Sequence, residues 1–253
     1  MNTATLAWTH FEHANTDQLA AACAARIDAD LDVALRERGA ALLALAGGRT
    51  SPPVFRRLAV QFRDWSRVSI LPSDERWVAA DHPDCNLRQM REAFAGAEGI
   101  RWLSLVPALP QGEASAAFAS GALAPYPQPF DVCMLGMGAD GHFASLFPGA
   151  PTLADALSPT QASAAMPIVP DPMPAAGPHA RVSLTLSRML NSRRLLLVIS
   201  GQDKRAVLER VIASVRPEPV EGRREDAGTN AATLPVAALL AAHHPAAEIH
   251  WSP

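Results

Sequence analysis

Residues 130–149, FDVCMLGMGADGHFASLFPG, constrain this chain more than any other stretch. Phe130 to Leu135 make a compact apolar run containing the β-branched Val132. The run is too short and too abruptly stopped for a core helix, so it predicts a buried strand. It ends in a turn with glycine at 136, 138 and 141 and a polar Asp140-Gly141-His142, after which apolar residues resume. Glycines let a backbone fold tightly and expose its N–H groups. A buried parallel strand running into such a turn is where an open α/β sheet usually puts its chemistry. A lone histidine in a βα turn is more often incidental than functional. His142, however, stands two residues after Asp140 at the carboxyl end of a strand, and that setting makes the two the candidate catalytic residues.

The rest of the chain alternates strand and helix signals. A strand over 6–11 precedes Asn15-Thr16-Asp17, a helix start. Leu19, Cys23, Ile27, Leu31 and Leu35 then recur at helical spacing up to Gly39. Residues 40–46, AALLALA, read as a buried strand that stops at Gly47-Gly48-Arg49-Thr50, and a helix over 54–62 follows with proline near its first turn. Strand, glycine turn and helix together form an anion cradle, because free amides and the positive end of the helix dipole face the turn. The spacing is neither G-x-x-x-x-G-K-[ST] nor G-x-G-x-x-G, and an ordinary tight βα loop would look the same. A strand over 68–71 leads to Asp74-Glu75-Arg76, which reads either as a solvated turn or as a place where an arginine grips a phosphate. A helix then runs to about residue 94, capped by Asp84 or Asn86.

A short strand over 102–106 and a small helix over 113–121 precede the central stretch. After it, the Pro-, Ala- and Ser-rich residues 151–178 predict a surface segment around one strand, 165–169. A strand carrying Arg181 near its start, a short helix over 186–190 and the strand LLLVIS, 195–200, follow in turn. The last of these ends at Gly201-Gln202-Asp203-Lys204 and a helix to residue 215. Lys204 sits in the first turn, where a cation opposes the helix dipole, which points to an anion nearby. Residues 215–233 are charged, rich in Pro and Gly and nearly free of large apolar side chains, and read as a flexible insertion. A helix over 236–242 and a strand over 248–251 close the chain.

The expected fold is α/β, one domain over 1–253: a doubly wound, mainly parallel sheet with helices on both faces. A net charge of −3 over 253 residues gives no basic field for nucleic acid or an anionic membrane, so neither is an expected partner. Cys23, Cys85 and Cys133 are widely spaced and odd in number, which fits neither a disulfide framework nor a metal site. With no signal-peptide pattern and no long apolar run, they predict a cytoplasmic protein. Four strand-end loops carry Gly48-Arg49-Thr50, Asp74-Glu75-Arg76, Asp140-Gly141-His142 and Gly201-Gln202-Asp203-Lys204. A glycine cradle, separate arginines, a lysine and an Asp/His pair suggest a sugar phosphate and acid–base chemistry.

LALAGGRTSPPVF, ILPSDERWVAADHPDCN, the central block, PHARVSLTL and LLLVISGQDKRAVL, in that order, resemble the 6-phosphogluconolactonases over most of the chain from Ala40 onward. The resemblance implies a glucosamine-6-phosphate deaminase-type, Rossmann-like fold. It also implies hydrolysis of 6-phospho-D-glucono-1,5-lactone to 6-phosphogluconate in the oxidative pentose phosphate pathway, without metal or organic cofactor. It assigns His142 as general base, and Asp140 either to orient that ring or to hold a sugar hydroxyl. Gly47, Gly48, Thr50, Asp74 and Gly138 would line the substrate site, and Arg76, Arg181 and Lys204 would neutralise the phosphate. The family commonly has Ser where Arg49, Ser where Cys85 and Pro where Ser51 stand; Arg49 would add a phosphate contact or face solvent. The related deaminases share the core but continue Ala-Phe-Asn-Glu-Pro where this chain has Ala144-Ser145-Leu146-Phe147-Pro148, so their acid is missing. Two alternatives are a deaminase or isomerase acting on amino-sugar phosphates and a non-catalytic phosphosugar sensor. The oligomeric state, monomer or homodimer, stays open.

Overall fold

The computed structural model describes residues 8–175, 177–215 and 231–253. In chain order they form β1 (Trp8–Glu12), α1 (Thr16–Arg38), β2 (Ala41–Leu45), α2 (Ser51–Ala59), β3 (Val68–Pro72), β4 (Asp74–Arg76), α3 (Asn86–Ala93) and β5 (Arg101–Trp102). These are followed by α4 (Ala117–Leu123), β6 (Val132–Leu135), α5 (Leu153–Ala156), β7 (Ala165–Ile168), β8 (Arg181–Leu184) and α6 (Leu186–Leu190). β9 (Leu195–Ser200), α7 (Gln202–Val215), α8 (Pro235–Ala241) and β10 (Ala247–Ser252) complete the order. Among the described residues no helix is long and apolar enough to cross a membrane.

Side chains of a strand alternate between its faces, and here both faces are apolar. Leu195, Leu197 and Ile199 of β9 enter one core, while Leu196 and Val198 enter the other. β2 divides the same way, with Leu42 and Ala44 on one side and Leu43 and Leu45 on the other. In β6, Cys133 and Leu135 oppose Val132 and Met134. Such continuous apolar runs belong to parallel sheets covered on both faces. One face carries α1 (Leu19, Cys23, Ile27, Leu31), α2 and α3; the other carries α7, α8 and a second, smaller sheet. α1 starts where Asn15 accepts the Gln18 N–H and stops at Gly39 in the left-handed region.

The main sheet has seven parallel strands in the order β1-β10-β9-β6-β2-β3-β5. From β2 the chain moves outward to β3 and β5, then returns to the opposite side of β2 for β6, β9 and β10. The turns leaving β2 and β6 therefore diverge, and the crevice between them is the position that doubly wound sheets offer a ligand.

The sequence reading departs from the structure in several places. Asp74-Glu75-Arg76 is not a solvated turn. It is β4, the edge of an antiparallel sheet β4-β8-β7, with Glu75 fully buried. The cap of α3 is Cys85, whose Sγ accepts the Arg88 N–H at 3.4 Å, and not Asp84 or Asn86. α2 begins at Ser51 and so takes in both Pro52 and Pro53, β5 is only Arg101–Trp102, and α5 had no sequence signal. Of the expected insertion at 215–233, residues 216–230 lie outside the described residues.

β10, the second strand of the sheet, holds a largely buried polar chain: His13 to His250 at 3.0 Å, His250 to Glu248 at 3.0 Å, and Glu248 to Arg194 and Arg26. Burial lowers the pKa of His250, and of His13 and His244, from the ordinary 6.5. The folded state then binds fewer protons than the unfolded one, so this stability is present above pH 6.5 and is lost as pH falls below it. Melting temperature is expected to drop between pH 7.5 and 5.5, and the drop should flatten in His250→Gln. An unchanged slope in that variant would contradict the assignment.

A cavity of about 510 Å3 lies at the amino ends of the strands. Most of its charges are already engaged: Asp131 bonds Arg38, Arg193 and the Leu42 N–H, and Arg67 caps α1 through the Leu35 and Gly39 carbonyls.

Candidate active site

A cavity of about 430 Å3 opens at the carboxyl ends of the strands, over the β2/β6 crevice. The β2–α2 turn forms one wall with Gly47, Gly48, Arg49 and Thr50. Two of the first residues of α2 are prolines, so the leading amides of that helix are those of Thr50 and Ser51, a thinner cradle than the turn alone suggests. Thr50 Oγ1 meets Ser200 Oγ at 3.2 Å, which ties this turn to the end of β9. Gly47 is required by close approach: a Cβ there would lie 2.3 Å from Asn86 Oδ1.

β4 and β8 form a second wall. Period two places Asp74 and Arg76 on the cavity side and sends Glu75 the other way. There the Glu75 carboxylate accepts the Asn86 and Leu87 N–H groups, each at 2.8 Å, at the start of α3. Burial pushes the Glu75 carboxyl up, opposed by those amides. Antiparallel pairing sets Arg76 directly opposite Arg181. Arg181 is buried, yet among the described residues neither arginine forms an ion pair, and the Nε of each is buried without a partner. Burial pulls the Arg181 pKa down, Asp74 opposes this and Arg76 adds to it; a guanidinium stays charged regardless. The Asp74 oxygens accept the hydroxyls of Ser73, at 3.0 Å, and of Ser145.

The β6 turn supplies His142. Its Nδ1 lies 2.5 Å from Asp140 Oδ1, and the same oxygen accepts the His142 N–H at 3.2 Å. Burial alone would raise the Asp140 carboxyl, but the hydrogen bonds and charge of His142 outweigh it and hold that carboxyl below its ordinary range. An ionised carboxylate only accepts hydrogen bonds, so Nδ1 carries a proton, and in the neutral tautomer Nε2 is the nitrogen that keeps a lone pair. Nε2 has no hydrogen-bond partner among the described residues, and the side chain is 27% exposed. Gly138 leaves room for the pair, since a Cβ there would fall 2.3 Å from the imidazole and 2.5 Å from Asp140 Oδ1. Phe147 stacks on the imidazole at 4.1 Å between centroids, and the Arg181 guanidinium lies 4.8 Å from the centre of the Phe147 ring. Where the deaminase pattern has an acid, this chain packs an aromatic ring against its histidine.

Lys204, in the first turn of α7, closes the cavity beside Asp203. Every site residue expected from the sequence lines this cavity except Asp140, which stands behind His142. Asn86 and Ser145 were not anticipated as site residues, and Asp203 was named only as a member of the Gly201-Gln202-Asp203-Lys204 loop, without a role. Asn86 donates to the Asp74 carbonyl at 2.7 Å while its Oδ1 is buried without a partner; in the sequence it carried only a helix-cap signal. Ser145 and Asp203 gave no signal of their own.

The family of glucosamine-6-phosphate isomerases and 6-phosphogluconolactonases matches residues 14–246. The 6-phosphogluconolactonase of Rhizobium meliloti is 34% identical over 241 residues, covering 94% of this chain and 96% of its own. That of Pseudomonas aeruginosa is 34% identical over 232 residues, covering 91% and 89%. The crystal structure of a 6-phosphogluconolactonase from Shewanella baltica superposes with a TM-score of 0.83 at 31% identity, covering 97% of this chain and 98% of that one. A monomeric glucosamine-6-phosphate deaminase, at 18% identity and a TM-score of 0.71, shares the fold. The chain belongs to the glucosamine-6-phosphate isomerase/6-phosphogluconolactonase family.

Proposed function

We propose that this protein is a 6-phosphogluconolactonase, hydrolysing 6-phospho-D-glucono-1,5-lactone to 6-phospho-D-gluconate in the oxidative pentose phosphate pathway. The observation that carries the reading is one cavity shared by an Asp-oriented imidazole and four cations, Arg49, Arg76, Arg181 and Lys204, none of them in an ion pair among the described residues. The cavity's size suits a sugar phosphate. Arg76, Arg181 and Lys204 hold the phosphate, the arginines by their planar forks.

His142 Nε2 takes a proton from a water that attacks the lactone carbonyl carbon. The charge that develops on the carbonyl oxygen is met by amides of the Gly47–Gly48–Arg49 turn, which form no backbone hydrogen bond among the described residues. The amides of Gly138, Gly141 and His142 are engaged within their own turn. When the tetrahedral intermediate collapses, the bond from the carbonyl carbon to the ring oxygen breaks. The imidazolium returns its proton to that oxygen, and Asp140 holds the ring in place throughout. The three buried, unpaired cysteines fit a cytoplasmic setting.

Rates of lactone opening above the spontaneous reaction test this reading, and no acceleration over buffer would refute it. Ammonia release from glucosamine 6-phosphate would favour the deaminase instead. Gly138→Ala is expected to cut turnover by up to about 10²-fold, because a methyl group there displaces the His142–Asp140 pair. Turnover within a factor of about two of wild type would show that the pair tolerates displacement.

A further inference from the structure

The two arginines facing the phosphate are each held by a backbone carbonyl from a different loop. Arg76 Nη1 donates to the Asp84 carbonyl at 2.6 Å, and Arg181 Nη2 donates to the Gly177 carbonyl at 2.7 Å. The two loops meet through a hydrogen bond, His179 Nε2 to Asp84 Oδ2 at 2.8 Å, and through the edge-on rings of His82 and His179, 5.3 Å apart between centroids. The groups crowd together: a Cβ on Gly177 would lie 3.7 Å from Arg181 Nη2, 3.9 Å from Arg76 Nη2 and 3.9 Å from the His179 ring. His179 N–H also donates to the Gly177 carbonyl at 2.9 Å, so its ring and backbone brace the same loop.

His82, Asp84 and His179 bring potential ligand atoms within 4.8 Å of one another, which raises the question of a cation. Two observations argue against one. His82 Nδ1 already accepts the Asp84 N–H at 3.0 Å, so the neutral ring carries its proton on Nε2 and has no lone pair to offer there. Two guanidiniums without ion-pair partners also stand beside the cluster and would repel a metal ion.

We propose that Asp84 and His179 form a latch that fixes the spacing of Arg76 and Arg181, and so sets how strongly the enzyme prefers a phosphorylated substrate. Both are positioning residues: they act through the carbonyls that aim the two guanidiniums. The latch rests on the phosphate role proposed for those arginines.

Steady-state kinetics of Asp84→Asn, His179→Gln and the double variant test it, with 6-phospho-D-glucono-1,5-lactone and D-glucono-1,5-lactone as substrates. The ratio of kcat/KM for the phosphorylated over the unphosphorylated lactone should fall about fivefold in each single variant, the scale of one solvent-facing charge pair. The loss should appear in KM for the phosphorylated lactone. The double variant should be no worse than either single one, because each removes the same contact. An unchanged ratio, a loss confined to kcat, or single losses that multiply to about 25-fold would overturn the latch. Arg181→Ala, measured in parallel, separates the two levels. If it lowers the ratio and the latch variants do not, the latch alone fails; if it leaves the ratio unchanged, the phosphate reading fails and takes the latch with it.

Discussion

His142→Ala is expected to lower the catalysed opening of 6-phospho-D-glucono-1,5-lactone by about 10²–10⁴-fold, the usual contribution of a positioned general base. The remaining rate should approach the spontaneous one, which must be subtracted. The size of the effect follows from geometry. Asp140 occupies Nδ1 and, being ionised, fixes the tautomer that leaves Nε2 basic. Phe147 stacks on the ring and limits its rotation. Alanine removes the base and leaves the cations of the cavity untouched, so KM should change far less than kcat. His142→Ala matching wild type in kcat would mean that water is activated by another group.

Arg181→Ala is expected to lower kcat/KM for the phosphorylated lactone by about 10²–10³-fold, the range for removing a buried charge from its partner. D-glucono-1,5-lactone, which lacks the phosphate, should suffer much less. Arg181 is buried and donates to Ser145 and to the Gly177 carbonyl, so part of any loss could come from the surrounding fold. Arg181→Lys separates the two contributions. It keeps the charge but not the planar fork, and should recover part of the preference for phosphate. Equal losses on both lactones in the alanine variant would remove the phosphate role from this arginine.

Much of the main sheet was legible in the sequence because its signals are local. LLLVIS is β9 to the residue, and 130–135 contains β6 because an apolar run cut off by glycine has few other readings. Asn15 and Gly39 bounded α1 because caps are written in the residues that make them. The small sheet was legible only in part: β7 and β8 carried strand signals, but β4 and the pairing of the three did not. Asp74-Glu75-Arg76 carries a strand's alternation over too few residues to register, and its partner, β8, lies far along the chain. Glu75 was hidden for a related reason: its amide partners at the start of α3 become visible only once β4 turns its side chain toward them. Site residues on strand-end loops could be named from sequence, because the topology gathers those loops at one crevice. Asn86 and Ser145 could not, because each reaches the site through packing that no spacing encodes.

The central claim is that the imidazole of His142 and the cations of Arg76, Arg181 and Lys204 act on one bound molecule. The most direct test is the NMR signal of the His142 ring Cε1–H during titration with 6-phospho-D-gluconate. The account predicts that the signal shifts in wild-type protein and that Arg181→Ala moves the shift to much higher ligand concentration. Saturable binding of the phosphogluconate with the His142 resonance unmoved would contradict it.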